Sequence, residues 1–179
     1  ATRLQRGSEG TLNIGISPQH LWLNEVQQYL TAFRKVNAEI SVNLCTLSSG
    51  AQLIALREGR IDAGILCLRP EEDRSLKSKF IYQERMLLAV NSQSRFAHTP
   101  PKRLQELLTE EFIGMSEKGV CGFSALVTRE LEKLQFRPRV SHEGCDYTAL
   151  LSLVSAGMGY TYVPEVTKYV NRYNVPFDE

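Results

Sequence analysis

Gly59-Arg-Ile-Asp-Ala-Gly-Ile-Leu66 decides the reading of this chain, together with its distant counterpart Leu153-Val-Ser-Ala-Gly-Met-Gly-Tyr-Thr-Tyr-Val-Pro164. In both, a helical apolar period stops at a glycine and a buried, strand-like run follows at once. Glycine takes the left-handed conformation that closes a helix at little cost, so each stretch reads as helix, tight turn and strand. The same step is written twice, in distant parts of the chain.

Outward from the first stretch, Ser48-Ser-Gly50 supplies cap residues for a short helix predicted over 51–58, and 61–68 is predicted as a strand. Upstream, 40–47 alternates with period two and Thr11-Leu-Asn-Ile-Gly-Ile16 does the same. Between them Ser17-Pro-Gln-His20 turns the chain into a helix predicted over 21–36, with Val26, Tyr29, Leu30 and Phe33 at helical spacing. Strands alternating with helices give βαβ units, whose right-handed crossovers make a parallel sheet.

Around the second stretch the pattern predicts a helix over 103–108, a strand over 111–115, a loop over 116–124 and a helix over 125–134. A strand over 139–143, a helix over 147–156 and a strand over 160–163 follow. The two sets are separated by a charged loop at 69–75 and by apolar stretches at 79–84 and 86–90, with no linker rich in glycine or serine. The expected fold class is α/β: two Rossmann-like lobes joined by two crossover strands, near 86–90 and 162–164. Lobe I is expected to comprise 11–87 and 163–179, and lobe II 88–162.

The 179 residues suffice for one large domain or two small lobes, and 42% hydrophobic with 23% charged residues is an ordinary globular composition. Lys and Arg total 21 against 20 Asp and Glu, a net charge of +1, with no basic stripe of the kind that grips phosphate. Direct DNA contact by this chain is not expected. No apolar run approaches the ~18 residues of a membrane span, and 1–10 lacks the apolar core of a signal peptide. Cys45, Cys67, Cys121 and Cys145 have no CxxC spacing, and with three scattered histidines they suggest no metal site. A reducing cytoplasm is the expected setting.

In open parallel sheets the ligand crevice lies beyond the carboxyl ends of the strands, where loops enter helix N-termini. Those loops carry Ser17, Gln19 and His20, then Ser48 and Ser49, then Cys67 and Arg69, and in the second set Ser116, Cys121 and Phe123. Hydroxyls and N–H groups at helix N-termini suit a small anion, and Arg69 has the shape to pair bidentately with a carboxylate. The plainer alternatives are that Ser48, Ser49 and Ser116 are N-caps, that Arg69 is solvated or paired with Glu71 or Glu72, and that Phe123 is a core residue. Cys121 lies near a helix N-terminus, which lowers a thiol pKa; it is either a redox thiol or a reduced thiol bordering the cleft. No GxSxG, P-loop, GxGxxG or HExxH motif is present, so neither an enzyme nor a cofactor is expected.

Gly10-Thr-Leu-Asn-Ile-Gly15, Leu56-Arg-Glu-Gly-Arg-Ile-Asp-Ala-Gly64 and Leu153-Val-Ser-Ala-Gly-Met-Gly159 with Val163-Pro164 resemble the effector-binding domain of LysR-type transcriptional regulators. The resemblance covers nearly the whole chain and is nearest to the group controlling aromatic-acid catabolism. It implies a type II periplasmic-binding-protein-like fold that binds a small carboxylate between its lobes. It also implies a homodimer or tetramer, and DNA binding only through an N-terminal domain that residues 1–10 would join as the end of a linker helix. Lobe I would then be incomplete at its C-terminal end. By motif, the group's hydroxyl after the second strand falls on Ser49 and its pocket phenylalanine on Phe123. Its first-loop serine falls near Gln19 or His20, and its arginine falls on Cys67. Glu117-Lys-Gly-Val-Cys121 is similar to the peroxidatic segment of peroxide-sensing members, but Glu130 stands where those carry the resolving cysteine. Thiol-based sensing through Cys121 and a transport-type solute receptor are the alternative functions.

Overall fold

The computed structural model describes residues 10–67, 75–116, 123–170 and 177–178. By its contacts the chain forms two compact units, Ala1–Tyr82 and Gln83–Glu179.

The first unit runs β1 (Gly10–Ile16), a 3-10 turn (Pro18–Trp22), α1 (Asn24–Val36), β2 (Ile40–Thr46), α2 (Ser49–Arg57) and β3 (Ala63–Ile65). Its sheet is wholly parallel with order β2-β1-β3, as the βαβ reading requires. Ile14, Gly15 and Ile16 of β1 lie opposite Ala63, Gly64 and Ile65 of β3. The helix expected over 21–36 begins at Asn24, because the turn holding Pro18 takes up the residues before it. The strand expected over 61–68 is shortened at both ends. Ile61 is buried before the strand begins, and the Asp62 N–H is already engaged by the Asn13 carbonyl at 2.8 Å.

The second unit contains β4 (Met86–Ala89), 3-10 turns at Arg95–Ala97 and Leu104–Thr109, β5 (Phe112–Met115) and α3 (Phe123–Lys133). Then come β6 (Val140–Gly144), α4 (Tyr147–Ser155), β7 (Thr161–Pro164), a 3-10 turn at Glu165–Val170 and β8 (Phe177–Asp178). Strand β4 pairs antiparallel with β7 and β8, while β5 and β6 are parallel. A parallel bridge between Phe112 and Tyr160 ties the two sheets together. The apolar stretch at 79–84 forms no strand, and the helix expected over 103–108 is the 3-10 turn Leu104–Thr109. One core cluster packs Leu150, Leu151 and Val154 of α4 against Ala89, Ile113 and Val163; a second gathers Leu88, Phe96, Leu107, Phe136 and Tyr160. The Asn91 amide donates to the carbonyls of Val154 (3.1 Å) and Ser155 (2.7 Å), satisfying the end of α4 from a distant loop.

Both glycine turns are as the sequence predicts. After α2, Gly59 has φ 69° and the Arg60 N–H reaches the Ala55 carbonyl at 2.8 Å; after α4, Gly157 has φ 76° and the Met158 N–H reaches the Leu153 carbonyl at 3.1 Å. This six-to-one bond with glycine in the left-handed region closes the two helices identically. Gly159 has a further reason to be glycine. Its φ is 141°, and a Cβ there would collide with the backbone carbonyl of Glu111. That close approach permits the bonds from Tyr160 N–H to Glu111 and from Ile113 N–H to Tyr160.

The division by contact groups residues 163–170 with β4, the partner of β7. Among the described residues no helix is long and apolar enough to cross a membrane, and no three His, Cys, Asp or Glu side chains are grouped to hold a metal ion.

Candidate functional site

The carboxyl ends of β1, β2 and β3 bring six of the ten sequence-predicted residues into one neighbourhood of the first unit. After β1, Ser17 and His20 are buried and Gln19 is half-buried, because Pro18 starts a tight turn that folds this segment back on the sheet. After β2, Ser48 is the N-cap of α2: its hydroxyl accepts from the Ala51 N–H at 3.3 Å. Ser49 is 1% exposed, and its hydroxyl accepts from the Cys67 N–H at 3.2 Å, fastening the start of α2 to the end of β3. The Cys67 sulfur lies 3.5 Å from His20 Nε2 and within 4.0 Å of the Gln19 amide.

Gln52 is a member of this neighbourhood that the sequence reading missed. It is fully buried on α2, and its Nε2 donates to the Leu47 carbonyl (2.9 Å) and to the Ser17 hydroxyl (3.4 Å). The side chain fits because two glycines face it. A Cβ on Gly15 would stand 3.0 Å from Gln52 Cγ, and one on Gly64 would stand 2.9 Å from Gln52 Oε1. The signal was present as a glutamine on the inward face of α2, opposite glycines that pair across β1 and β3.

Ser17, Ser48 and Ser49 thus each accept one N–H bond, and a serine hydroxyl that accepts still carries a proton to donate. Three such hydroxyls lie at the end of a parallel sheet, with the N-terminus of the nine-residue α2 beside them, and make this the candidate seat for an anion.

Of the remaining predicted residues, Ser116 lies in the second unit at the end of β5, where its N–H bonds the Gly144 carbonyl at 2.9 Å. Phe123 opens α3, and only its backbone is described. Arg69 and Cys121 lie outside the described residues. Cys45, Cys67 and Cys145 are free thiols.

The fold and this seat can be set beside known proteins. The LysR substrate binding domain matches residues 5–175. The chain belongs to that family. BenM of Acinetobacter baylyi, an HTH-type transcriptional regulator, is 26% identical over 173 residues, covering 96% of this chain and 54% of BenM. AlsR of Bacillus subtilis, also an HTH-type transcriptional regulator, is 27% identical over 179 residues, 99% of this chain and 58% of AlsR. The chain therefore spans little more than half the length of these relatives.

Among solved structures, the BenM effector binding domain with its effector benzoate superposes with a TM-score of 0.80 at 25% identity, over 96% of this chain and 77% of that one. The effector binding domain of QuiR in complex with shikimate gives 0.82 at 18% identity, over 95% and 80%, a likeness of fold alone. The type II periplasmic-binding-protein-like α/β fold expected from the sequence is the fold of this LysR domain, and the named relatives are regulators rather than enzymes.

Proposed function

We propose that this LysR domain is the ligand-sensing part of a bacterial transcription regulator, and that it binds a small organic carboxylate in the cleft expected between lobes 11–87 with 163–179 and 88–162. The observation that carries the reading is the seat of Ser17, Ser48 and Ser49, three hydroxyls ordered by N–H donors at the ends of one parallel sheet. Hydrogen bonds to a charged acceptor are the strong ones, and the N-terminus of α2 favours negative charge. Benzoate and shikimate, which accompany the BenM and QuiR domains, are both carboxylates.

Where the resemblance expects an arginine, Cys67 stands beside His20. The seat therefore binds through hydroxyls and amides, with Arg69 as the cation nearest in sequence. Bound carboxylate favours one arrangement of the lobes through its differential contacts. An oligomer, a homodimer or tetramer, passes that bias to DNA-binding domains outside this chain, in the cytoplasm.

A thermal-shift screen of small carboxylates tests the reading. A ligand present at about a hundred times its Kd raises Tm by roughly 5–10 °C, and Ser49→Ala reduces that rise to a small fraction. A screen in which no carboxylate shifts Tm, or in which Ser49→Ala responds as the wild type does, contradicts it.

A further inference from the structure

Cys67 is not an isolated thiol. It is half-buried just beyond β3, and its sulfur lies 3.5 Å from Nε2 of His20, a side chain only 5% exposed. With the ring proton on Nδ1, Nε2 faces the sulfur as an acceptor for the thiol proton. The Gln19 amide donates toward the same sulfur at 4.0 Å. The Cys67 N–H is tied to the Ser49 hydroxyl in the first turn of α2, an end at which negative charge is favoured. A thiolate is the nucleophile of cysteine chemistry, and a base within hydrogen-bond reach generates it during attack.

The other described cysteines have different neighbours. The sulfur of Cys45 on β2 meets the Asn43 amide at 3.7 Å. Cys145 is exposed, yet its thiol points at the Asp146 carboxylate (3.9 Å), whose charge opposes the anion that attack requires.

Nor is Cys67 placed to end in a disulfide within its unit. Cys45 lies opposite Gly15 of β1, which in turn lies opposite Gly64 of β3. Two strand spacings put Cys45 roughly 10 Å from β3, beyond the ~7 Å between Cα atoms that a disulfide spans. The pair therefore suits a reaction that joins the thiol to a small molecule and needs no second thiol. An imidazolium held at the sulfur has a proton to return, which an addition consumes and a substitution does not.

We propose that Cys67 is a covalent modification site for small α,β-unsaturated carbonyl compounds, with His20 as its base. The thiol proton passes to His20 Nε2 while the sulfur bonds to the β-carbon of the electrophile and the C=C π pair moves toward the carbonyl. The imidazolium then returns the proton to the α-carbon, leaving a thioether. No oxidant, reductant or leaving group takes part. The site stands on the Cys67–His20 geometry and does not depend on the carboxylate reading.

Methyl vinyl ketone tests this on the 179-residue chain: the reaction is quenched at intervals, the chain is digested, and the adduct on each of the four cysteines is followed by mass spectrometry. Cys67 should react at least about tenfold faster than the more exposed Cys145, a modest share of what a general base supplies. Urea removes the geometry and should bring the two rates within about twofold. His20→Gln keeps a hydrogen-bonding amide but cannot take up the proton; it should slow Cys67 about tenfold or more while Cys45 and Cys145 keep their rates. The urea comparison needs no variant and decides the matter if His20→Gln does not fold. A native Cys67 no faster than Cys145, a ratio unchanged in urea, or a folded His20→Gln reacting at the wild-type rate overturns the proposal.

Discussion

Helices α2 and α4 are the same backbone device filled with opposite chemistry. Each is nine residues long, each starts on a side-chain cap (Ser48 to the Ala51 N–H, Asp146 to the Ala149 N–H), and each ends through a left-handed glycine. In α2 the first inward position after the cap is Ser49 and the next is Gln52; in α4 the corresponding residues are Tyr147 and Leu150. A glycine of the adjoining sheet makes room in both cases, Gly15 and Gly64 for Gln52, and Gly144 for Leu150. The geometry of the turn therefore does not decide what a strand end does. The inward side chains decide it, making one sheet end a hydroxyl seat and the other an apolar core.

The reciprocal exchange tests this contrast most severely. Leu150→Gln puts an amide into an apolar cluster and is expected to cost about 3–5 kcal/mol. Gln52→Leu removes two hydrogen bonds at a site of similar volume and is expected to cost only about 1–2 kcal/mol. Urea denaturation read by circular dichroism measures both. Because Trp22 is the sole tryptophan, its fluorescence follows the first unit alone. Equal costs would break the comparison.

The glycines provide a second contrast. Gly159→Ala meets both a left-handed φ and the Glu111 carbonyl and should cost about 2–3 kcal/mol. Gly59→Ala has no atom within 4 Å of the added carbon and should cost about 1 kcal/mol. Here too denaturation midpoints decide, and a Gly59 penalty as large as that of Gly159 would refute the packing argument.

The smallest effect concerns charge. Arg85 forms a two-point pair with Glu165 (2.9 and 3.3 Å) and, chiefly through these hydrogen bonds, holds the Glu165 carboxyl below the ordinary carboxylate range. A carboxyl with a depressed folded-state pKa contributes stability above its unfolded pKa and loses it as pH falls through the folded value. Glu165→Gln should therefore slightly flatten the acid limb of a stability–pH profile between about pH 5 and pH 3. An unchanged slope there would show the pair to be energetically silent.

The sequence carried the architecture because both signals it relies on are local. Glycine turns and alternating apolar residues identified β1, β2, α2, α4 and β7 to within a few residues. Where prediction and structure part, tertiary contacts are responsible. The start of α1 is set by the Pro18 turn, and the 61–68 strand is cut short where Asn13 engages Asp62. The seat was legible in part. Ser48 serves as the N-cap that the plainer reading expected, and Ser49 reaches across to Cys67. Gln52 was not legible, because its burial depends on two glycines that meet only when the sheet forms.

The most direct test of the central claim, that the hydroxyl seat of the first unit reads a small organic carboxylate, is calorimetric titration of the best carboxylate from the screen into wild type and Ser49→Ala. A lost hydrogen bond to a charged acceptor predicts that Kd rises at least about tenfold, with circular dichroism unchanged. A Ser49→Ala protein that binds within twofold of wild type would contradict the account.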